Sequence, residues 1–143
     1  IRIASESAML GITEARVGLM APFAIHLNKI ISETAVMELV LSAEPIPAWR
    51  VLEMGFLNKV VPSERLMDEA MEMARKIIKN SPLALRAFKQ LVKKGRGSSE
   101  GETAFSTART YNELLKSHDA VEGPQAFAEK RDPIWEDESK QNV

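Results

Sequence analysis

Residues Ala35–Gly55 read AVMELVLSAEPIPAWRVLEMG and are followed directly by FLNKVVP at Phe56–Pro62. Apolar residues recur at helical spacing in this stretch, first before and then after the interruption at Pro45 and Pro47. Pro47 is predicted in the first turn of the second helix, where its missing N–H is tolerated. Gly55 is the residue type that commonly follows a helix end. The stretch therefore predicts two helices and then a short strand that a proline ends.

Upstream of these helices the sequence predicts two short strands, Arg2–Ala4 and Ala8–Ile12. Gly11 indicates a bend or a close approach of another backbone. Residues 13–25 have no clean period and predict a buried or half-buried loop. Two or three such strands do not form a stable sheet alone, so we expect them to pair with chain segments outside this sequence. The opening residue, Ile1 instead of Met, leads to the same expectation of truncation or processing.

Downstream of the strand the pattern is helical, with a Gly/Ser-rich break at residues 95–101. Ser63 is predicted to cap the first of these helices, and Ser81, directly before a proline, the next. Asp119 and Glu122 are three residues apart and predict a capping box for the last helix. The polar residues from Glu136 onward are expected to fray.

Composition excludes several classes of function. The chain has 143 residues, 45% hydrophobic and 27% charged, as is typical of a globular protein. Its formal net charge of -1 argues against a nucleic-acid partner. No run of apolar residues is long enough for a membrane span. The absence of cysteine excludes disulfides and thiolate nucleophiles.

Residue types alone identify no active site. His26 and His118 have no acidic or histidine neighbour at a metal-ligand spacing, so no metal site is predicted. Ser98 and Ser99 have no visible base. Glu14 is a carboxylate in a mainly apolar stretch, which suits an acid or base. On the residues alone, a surface or salt-bridged role for Glu14 is the better interpretation.

Read together, several segments resemble the crotonase superfamily, also called the enoyl-CoA hydratase/isomerase family. Ile1–Ser5 is similar to the strand after that family's active-site helix, and Gly11–Gly18 to its GxPExxxG segment. The paired helices and the strand at residues 35–62 resemble their counterparts, and Ser81–Ala84 resembles the SPxA helix start. Asp119–Pro133, DAVEGPQAFAEKRDP, is similar to the family's C-terminal ending. The resemblance covers nearly the whole chain and indicates the C-terminal half of a subunit.

The resemblance implies an α/β, crotonase-like fold, of which this chain is the C-terminal portion, with a few strands followed by a mostly helical region. Residues 1–62 would belong to the core with its active-site segment. Residues 63–143 would form the helical region for oligomerisation and for covering coenzyme A. It also implies identical partner subunits in a trimer or a dimer of trimers. A cytoplasmic location is expected, with the mitochondrial matrix as the alternative.

The resemblance further implies an enzyme that hydrates a 2-enoyl-CoA through an enolate. Glu14 falls on one of the family's two catalytic glutamates and would protonate the α-carbon. Phe127 and Lys130 match residues near the adenosine-phosphate end of coenzyme A, where a lysine offers a point charge to phosphate. No separate cofactor is expected, because coenzyme A is part of the acyl-CoA substrate.

Two departures from the family pattern keep alternatives open. Thr13 replaces the usual proline, and Met20–His26 replaces a glycine-rich segment, which implies a reshaped, more apolar pocket. The oxyanion-binding N–H groups and the second glutamate would lie upstream, so the isolated chain is expected to be inactive. The alternatives are a non-catalytic acyl-CoA-binding or assembly module and an enoyl-CoA isomerase. A helical nucleic-acid module ranks a distant third.

Overall fold

The computed structural model describes residues 1–136. The chain divides into two compact units, the first being Ile1–Met73 and the second beginning at Ala74. The polar end that was expected to fray lies, from residue 137 on, outside the described residues. The functional boundary expected between residues 62 and 63 stays a prediction.

Four short strands form two separate two-stranded sheets in the first unit. In one, β1 (Ile3–Ser5) pairs in parallel with β4 (Lys59–Val61). In the other, β2 (Met9–Leu10) pairs antiparallel with β3 (Ile46–Pro47). The predicted strands at 8–12 and 56–61 are thus shorter than expected, and β3 was not foreseen. An isolated pair of strands has only marginal stability in water. That these strands pair with further chain segments stays a prediction.

The close approach predicted at Gly11 is confirmed. A Cβ atom on Gly11 would lie 2.8 Å from the Cα of Pro45 and 3.3 Å from the carbonyl oxygen of Glu44. Both contacts are to backbone atoms, which cannot turn aside as a flexible side chain can. Glycine at this position therefore allows the segment after β2 to pack directly on the segment before β3.

Replacing Gly11 by Ala is expected to destabilise the first unit by about 1–3 kcal/mol, the usual range for overpacking a fixed contact. Chemical denaturation followed by circular dichroism measures the change. Gly101→Ala is the matched control, because a Cβ there meets no atom within 4 Å and alanine favours a helix. A Gly11→Ala protein as stable as the wild type would contradict the assigned contact.

Two α-helices follow the predicted order. Helix α1 (Glu33–Ser42) is capped by Ser32, whose hydroxyl accepts a hydrogen bond from the N–H of Ala35 at 3.2 Å. Helix α2 (Ala48–Glu53) is followed by Gly55 at a φ of 78°, which confirms the predicted helix end. Pro47 precedes α2 as its cap residue and does not lie in the first turn, so that placement was wrong by one position.

The segment predicted as a buried loop is a pair of 3₁₀ segments, Glu14–Val17 and Pro22–Lys29. Most of its side chains are exposed, and only Ala21 and Ala24 are buried. Gly18 separates the two segments with a φ of 73°. The helix expected from Leu27 begins only at α1, because the chain up to Lys29 keeps 3₁₀ geometry.

The core of the first unit consists of two small apolar clusters. One cluster centres on α1 and the other on α2, and each is closed by half-buried side chains from the strands and loops. The buried members are Ile31, Ala35, Val36 and Leu39 in the first and Ala48, Val51 and Leu57 in the second. All of these buried residues except Ile31 lie between residues 35 and 57, so this stretch supplies most of the core of the unit.

Four helices follow the last strand: α3 (Leu66–Ile78), α4 (Pro82–Gly95), α5 (Glu100–Leu114) and α6 (His118–Glu129). The cap predicted at Ser81 is confirmed, since its hydroxyl accepts a hydrogen bond from the N–H of Ala84 at 3.1 Å. The break expected at residues 95–101 is shorter than predicted, because Gly95 ends α4 and α5 begins at Glu100, which leaves residues 96–99 between the two helices.

Two of the predicted caps were wrong. Ser63 begins a 3₁₀ turn, Ser63–Arg65, and its hydroxyl bonds to those of Ser5 and Ser7. Helix α6 is capped by Ser117, not by a box of Asp119 and Glu122, whose carboxylates are buried in other contacts. The three-residue spacing of a capping box therefore also occurs where the two side chains bind other, stronger partners.

The capping box that the structure does contain lies at the start of α5. The hydroxyl of Ser99 accepts a hydrogen bond from the N–H of Glu102, and the Glu102 carboxylate accepts one from the N–H of Ser99. The N–H and the hydroxyl of Ser99 both donate to the Glu102 carboxylate, and these two hydrogen bonds lower its pKa below the usual value. This box was not predicted, because Ser99 was assigned to the flexible break.

Candidate functional site

The first unit contains an apolar cleft of about 470 Å³. One wall is a face of α1, formed by Glu33, Val36, Met37 and Val40. These residues follow the i, i+3, i+4, i+7 spacing that places side chains on one side of a helix. The opposite wall is the 19–28 segment, which contributes Leu19, Met20, Ala21, Ala24, Ile25 and Asn28.

Glu14, together with Ile12 and Ala15, forms the third part of the cleft lining. It is the first residue of a 3₁₀ segment and its side chain is half-buried. The neighbouring Arg16 pairs with Glu44 at 3.6 Å, on the exposed side of the segment. A half-buried carboxylate beside apolar walls can exchange a proton with a carbon atom of a molecule bound in the cleft.

Sequence reasoning missed the α1 wall and its one charged member, Glu33. The apolar residues of α1 were assigned to a helix without a decision on which face is buried. Val36 and Leu39 are buried, whereas Met37 is 46% exposed and faces the cleft. Glu33 lies on the same helix face as Val36, Met37 and Val40. A glutamate on that face was the available signal that the face is not completely buried.

The second candidate position is the exposed C-terminal end of α6. Phe127 is 87% exposed, and Lys130, three residues later, is also exposed. Lys130 has a φ of 55°, in the left-handed region that favours glycine. Its N–H donates to the carbonyl of Phe127, and the N–H of Arg131 donates to that of Ala126, the bond pattern of a Schellman motif.

A buried carboxylate fastens the segment that follows α6. Glu122 accepts two hydrogen bonds from the guanidinium of Arg131, at 2.6 and 2.9 Å, and one from the N–H of Ile134 at 2.7 Å. The Arg131 guanidinium and that N–H lower the pKa of Glu122 to about 2. The same carboxylate, with Glu129, raises the pKa of Arg131. Residues 131–134 are therefore tied back onto α6.

A second buried carboxylate joins three parts of the second unit. Asp119 accepts a hydrogen bond from the hydroxyl of Ser81 and another, at 3.1 Å, from the N–H of Glu136. The indole N–H of Trp135 donates to the carbonyl of Lys79 at 2.8 Å, and its ring lies 3.3 Å from where a Cβ on Gly123 would be. The glycine of the EG pair thus leaves room for the returning chain.

Residues 1–136 contain no group of three histidine, aspartate or glutamate side chains arranged to hold a metal ion. In the same part of the chain, no helix is both long enough and apolar enough to cross a membrane.

Comparison with known proteins identifies the family. Residues 1–139 match the family model described as enoyl-CoA hydratase/isomerase. The carnitinyl-CoA dehydratase of Salmonella paratyphi A is 35% identical over 142 residues, which cover 93% of this chain and 53% of that protein. The chain thus spans about half the length of the curated relatives that it matches.

Comparison with solved structures indicates the same family. The enoyl-CoA hydratase of Mycobacterium tuberculosis H37Rv matches with a TM-score of 0.87 and 33% identity, over 94% of this chain and 54% of that one. The enoyl-CoA hydratase of Bacillus anthracis matches with a TM-score of 0.88 and 33% identity, over 94% and 53%. These likenesses confirm the crotonase-like α/β fold. The chain belongs to the enoyl-CoA hydratase/isomerase family.

Proposed function

We propose that this chain is the C-terminal half of a subunit that acts on an acyl-CoA thioester through an enolate, with hydration of a 2-enoyl-CoA as its reaction. The observation that carries the proposal is the half-buried carboxylate of Glu14 beside an apolar cleft. The cleft volume of about 470 Å³ is in the range of small-molecule sites. Relatives of the chain are named as enoyl-CoA hydratase and carnitinyl-CoA dehydratase.

In this reaction the oxygen of water adds to the β-carbon and a proton adds to the α-carbon. We assign the protonation of the α-carbon to Glu14, and the apolar walls of the cleft to the acyl chain. A base takes one proton from the water, the other stays in the new hydroxyl group, and N–H donors stabilise the enolate oxygen. The proton held by the base balances the one that Glu14 gives to the α-carbon. That base and those donors are proposed to lie outside these 143 residues. Coenzyme A is part of the substrate, so no further cofactor enters the proposal.

We assign Phe127 and Lys130 to the adenosine-phosphate end of a coenzyme A thioester. The exposed ring of Phe127 offers an aromatic face, and the exposed ammonium of Lys130 offers a positive charge. The two residues lie at one helix end, separated by one turn of α6.

Lys130→Gly separates this binding role from a structural one. Glycine suits the left-handed backbone at this position, so the variant is expected to gain up to about 1 kcal/mol of stability. Loss of the ammonium is expected to raise KM for acyl-CoA by roughly tenfold, as for one charge-assisted bond to phosphate. Steady-state kinetics and denaturation measure the two effects.

The control for Lys130→Gly is Lys116→Gln, which removes an exposed ammonium in the turn after α5. KM should stay unchanged in that variant. A Lys130→Gly protein that is more stable but has the wild-type KM would show that Lys130 does not bind coenzyme A.

The 143-residue chain alone is expected to show no hydratase turnover, because the proposed enolate-stabilising groups lie elsewhere. The test follows the loss of ultraviolet absorbance as the conjugated thioester is hydrated, with a full-length hydratase of the family as the positive control. Robust turnover by the isolated chain would show that the missing-half part of the proposal is wrong.

A second candidate is a non-catalytic acyl-CoA-binding or assembly module, favoured by Thr13 and by Met20–His26 in place of a glycine-rich segment. Enoyl-CoA isomerisation would use the same carboxylate, that of Glu14.

The assembly as a homotrimer or dimer of trimers stays a prediction. A cytoplasmic location also stays a prediction, and the bacterial relatives lend no support to the mitochondrial alternative.

A further inference from the structure

The end of α6 has an unusual backbone that the surrounding residues must maintain. Lys130 is a non-glycine residue at a φ of 55°, a conformation that is unfavourable for an L-residue and persists only where neighbours determine it. The two Schellman hydrogen bonds contribute, and both are local to the end of α6. A further restraint comes from the residue immediately after Lys130.

That restraint is the bidentate pair between Arg131 and Glu122. Glu122 is only 8% exposed and accepts both terminal guanidinium nitrogens of Arg131. It also accepts the N–H of Ile134, so it holds the chain on the far side of Lys130 as well. A planar fork on a buried carboxylate leaves little rotational freedom, so the backbone at Lys130 is fixed from residue 131 onward.

We propose that Glu122 is a positioning residue for coenzyme A: through Arg131 it holds Lys130 in the left-handed conformation from which its ammonium reaches phosphate. The inference rests on the role proposed for Lys130. Glu122 does not touch the substrate, and its charge is balanced by the guanidinium it binds. Its removal should therefore affect the affinity for the phosphate-bearing part of the substrate and not the chemical step.

The test compares two substrates with the same acyl group, one on coenzyme A and one on pantetheine, which lacks the adenosine-phosphate end. It uses the protein in its longest native form. For Glu122→Gln we expect KM for the acyl-CoA to rise about five- to tenfold, the effect of weakening one charged contact. We expect kcat to stay within about twofold and KM for the pantetheine thioester to stay unchanged, since neither depends on phosphate.

Two further variants keep the test decisive. Arg131→Lys retains the positive charge but loses the bidentate fork, and it should reproduce the change if Glu122→Gln fails to fold. Asp119→Asn perturbs the other buried carboxylate, which binds Ser81 and Glu136 and does not contact Arg131. It should leave the ratio of the two KM values unchanged.

The outcomes separate this inference from the proposed function. If Lys130→Gly raises KM for acyl-CoA and Glu122→Gln does not, the positioning role is wrong and the coenzyme A site stands. If neither variant changes KM, both assignments are wrong. Equal increases for the two thioesters would show that Glu122 is only a structural brace, which also overturns the inference.

Discussion

Glu14→Gln is expected to lower kcat for hydration of a 2-enoyl-CoA by about 10²–10⁴-fold, the usual contribution of a positioned acid or base. Glutamine has the same shape as glutamate but cannot deliver a proton to the α-carbon. Because the cleft walls are unchanged, KM should change little. Steady-state kinetics on the protein in its longest native form measure both parameters.

The matched control is Glu44→Gln. Glu44 is an exposed glutamate whose partner, Arg16, is also exposed, at a distance of 3.6 Å. Such surface pairs contribute little, so this variant should keep wild-type kinetics. Full activity in Glu14→Gln would exclude Glu14 as the acid, whereas absence of turnover in the wild type would favour the non-catalytic alternative.

The second large effect concerns stability and is expected from Asp119→Ala. The carboxylate is 6% exposed and accepts hydrogen bonds from Ser81, at the start of α4, and from the N–H of Glu136. Its removal leaves both donors without their acceptor in a buried place. We expect the free energy of unfolding to fall by about 3 kcal/mol, as for two lost hydrogen bonds to a buried charge.

Asp132→Ala serves as the control for Asp119→Ala, since Asp132 is an exposed aspartate in the same unit. Its effect should stay within about 0.5 kcal/mol. Urea denaturation followed by circular dichroism measures both variants. Equal stability of the two would mean that Asp119 does not join α4, α6 and the returning chain as described.

Structural features that depend on one residue and its neighbours in the sequence could be predicted from the sequence. Ser81 was recognisable as the cap of α4 because proline follows it, and Gly55 as the residue after α2 because glycine readily adopts a positive φ. Gly11 indicated a close approach that the Pro45 backbone confirms. In each case the physical cause is local, so the residue type is enough.

Signals that depend on distant partners were interpreted wrongly. Asp119 and Glu122 have the spacing of a capping box, yet their partners lie 38 residues before the first and 9 and 12 residues after the second. Ser63 was assigned as a cap, whereas its hydroxyl bonds to Ser5, 58 residues earlier. Spacing cannot distinguish a local hydrogen bond from a long-range one.

The candidate site was predictable only in part. Glu14 stood out through the family resemblance and not through its own surroundings, which at the level of sequence favoured a surface role. The cleft exists because the 19–28 segment packs opposite one face of α1. No period in the sequence reveals that packing, since 3₁₀ segments are short and irregular, so Glu33 was missed.

The most direct test of the account is exchange of the α-protons of a saturated acyl-CoA with D₂O, followed by NMR on the protein in its longest native form. The reaction needs only enolate formation and a group that moves a proton at the α-carbon. It therefore does not depend on the choice between hydration and isomerisation. From the role assigned to Glu14, we expect exchange in the wild type and a rate at least about 100-fold lower in Glu14→Gln. Exchange at the same rate in both proteins would contradict it.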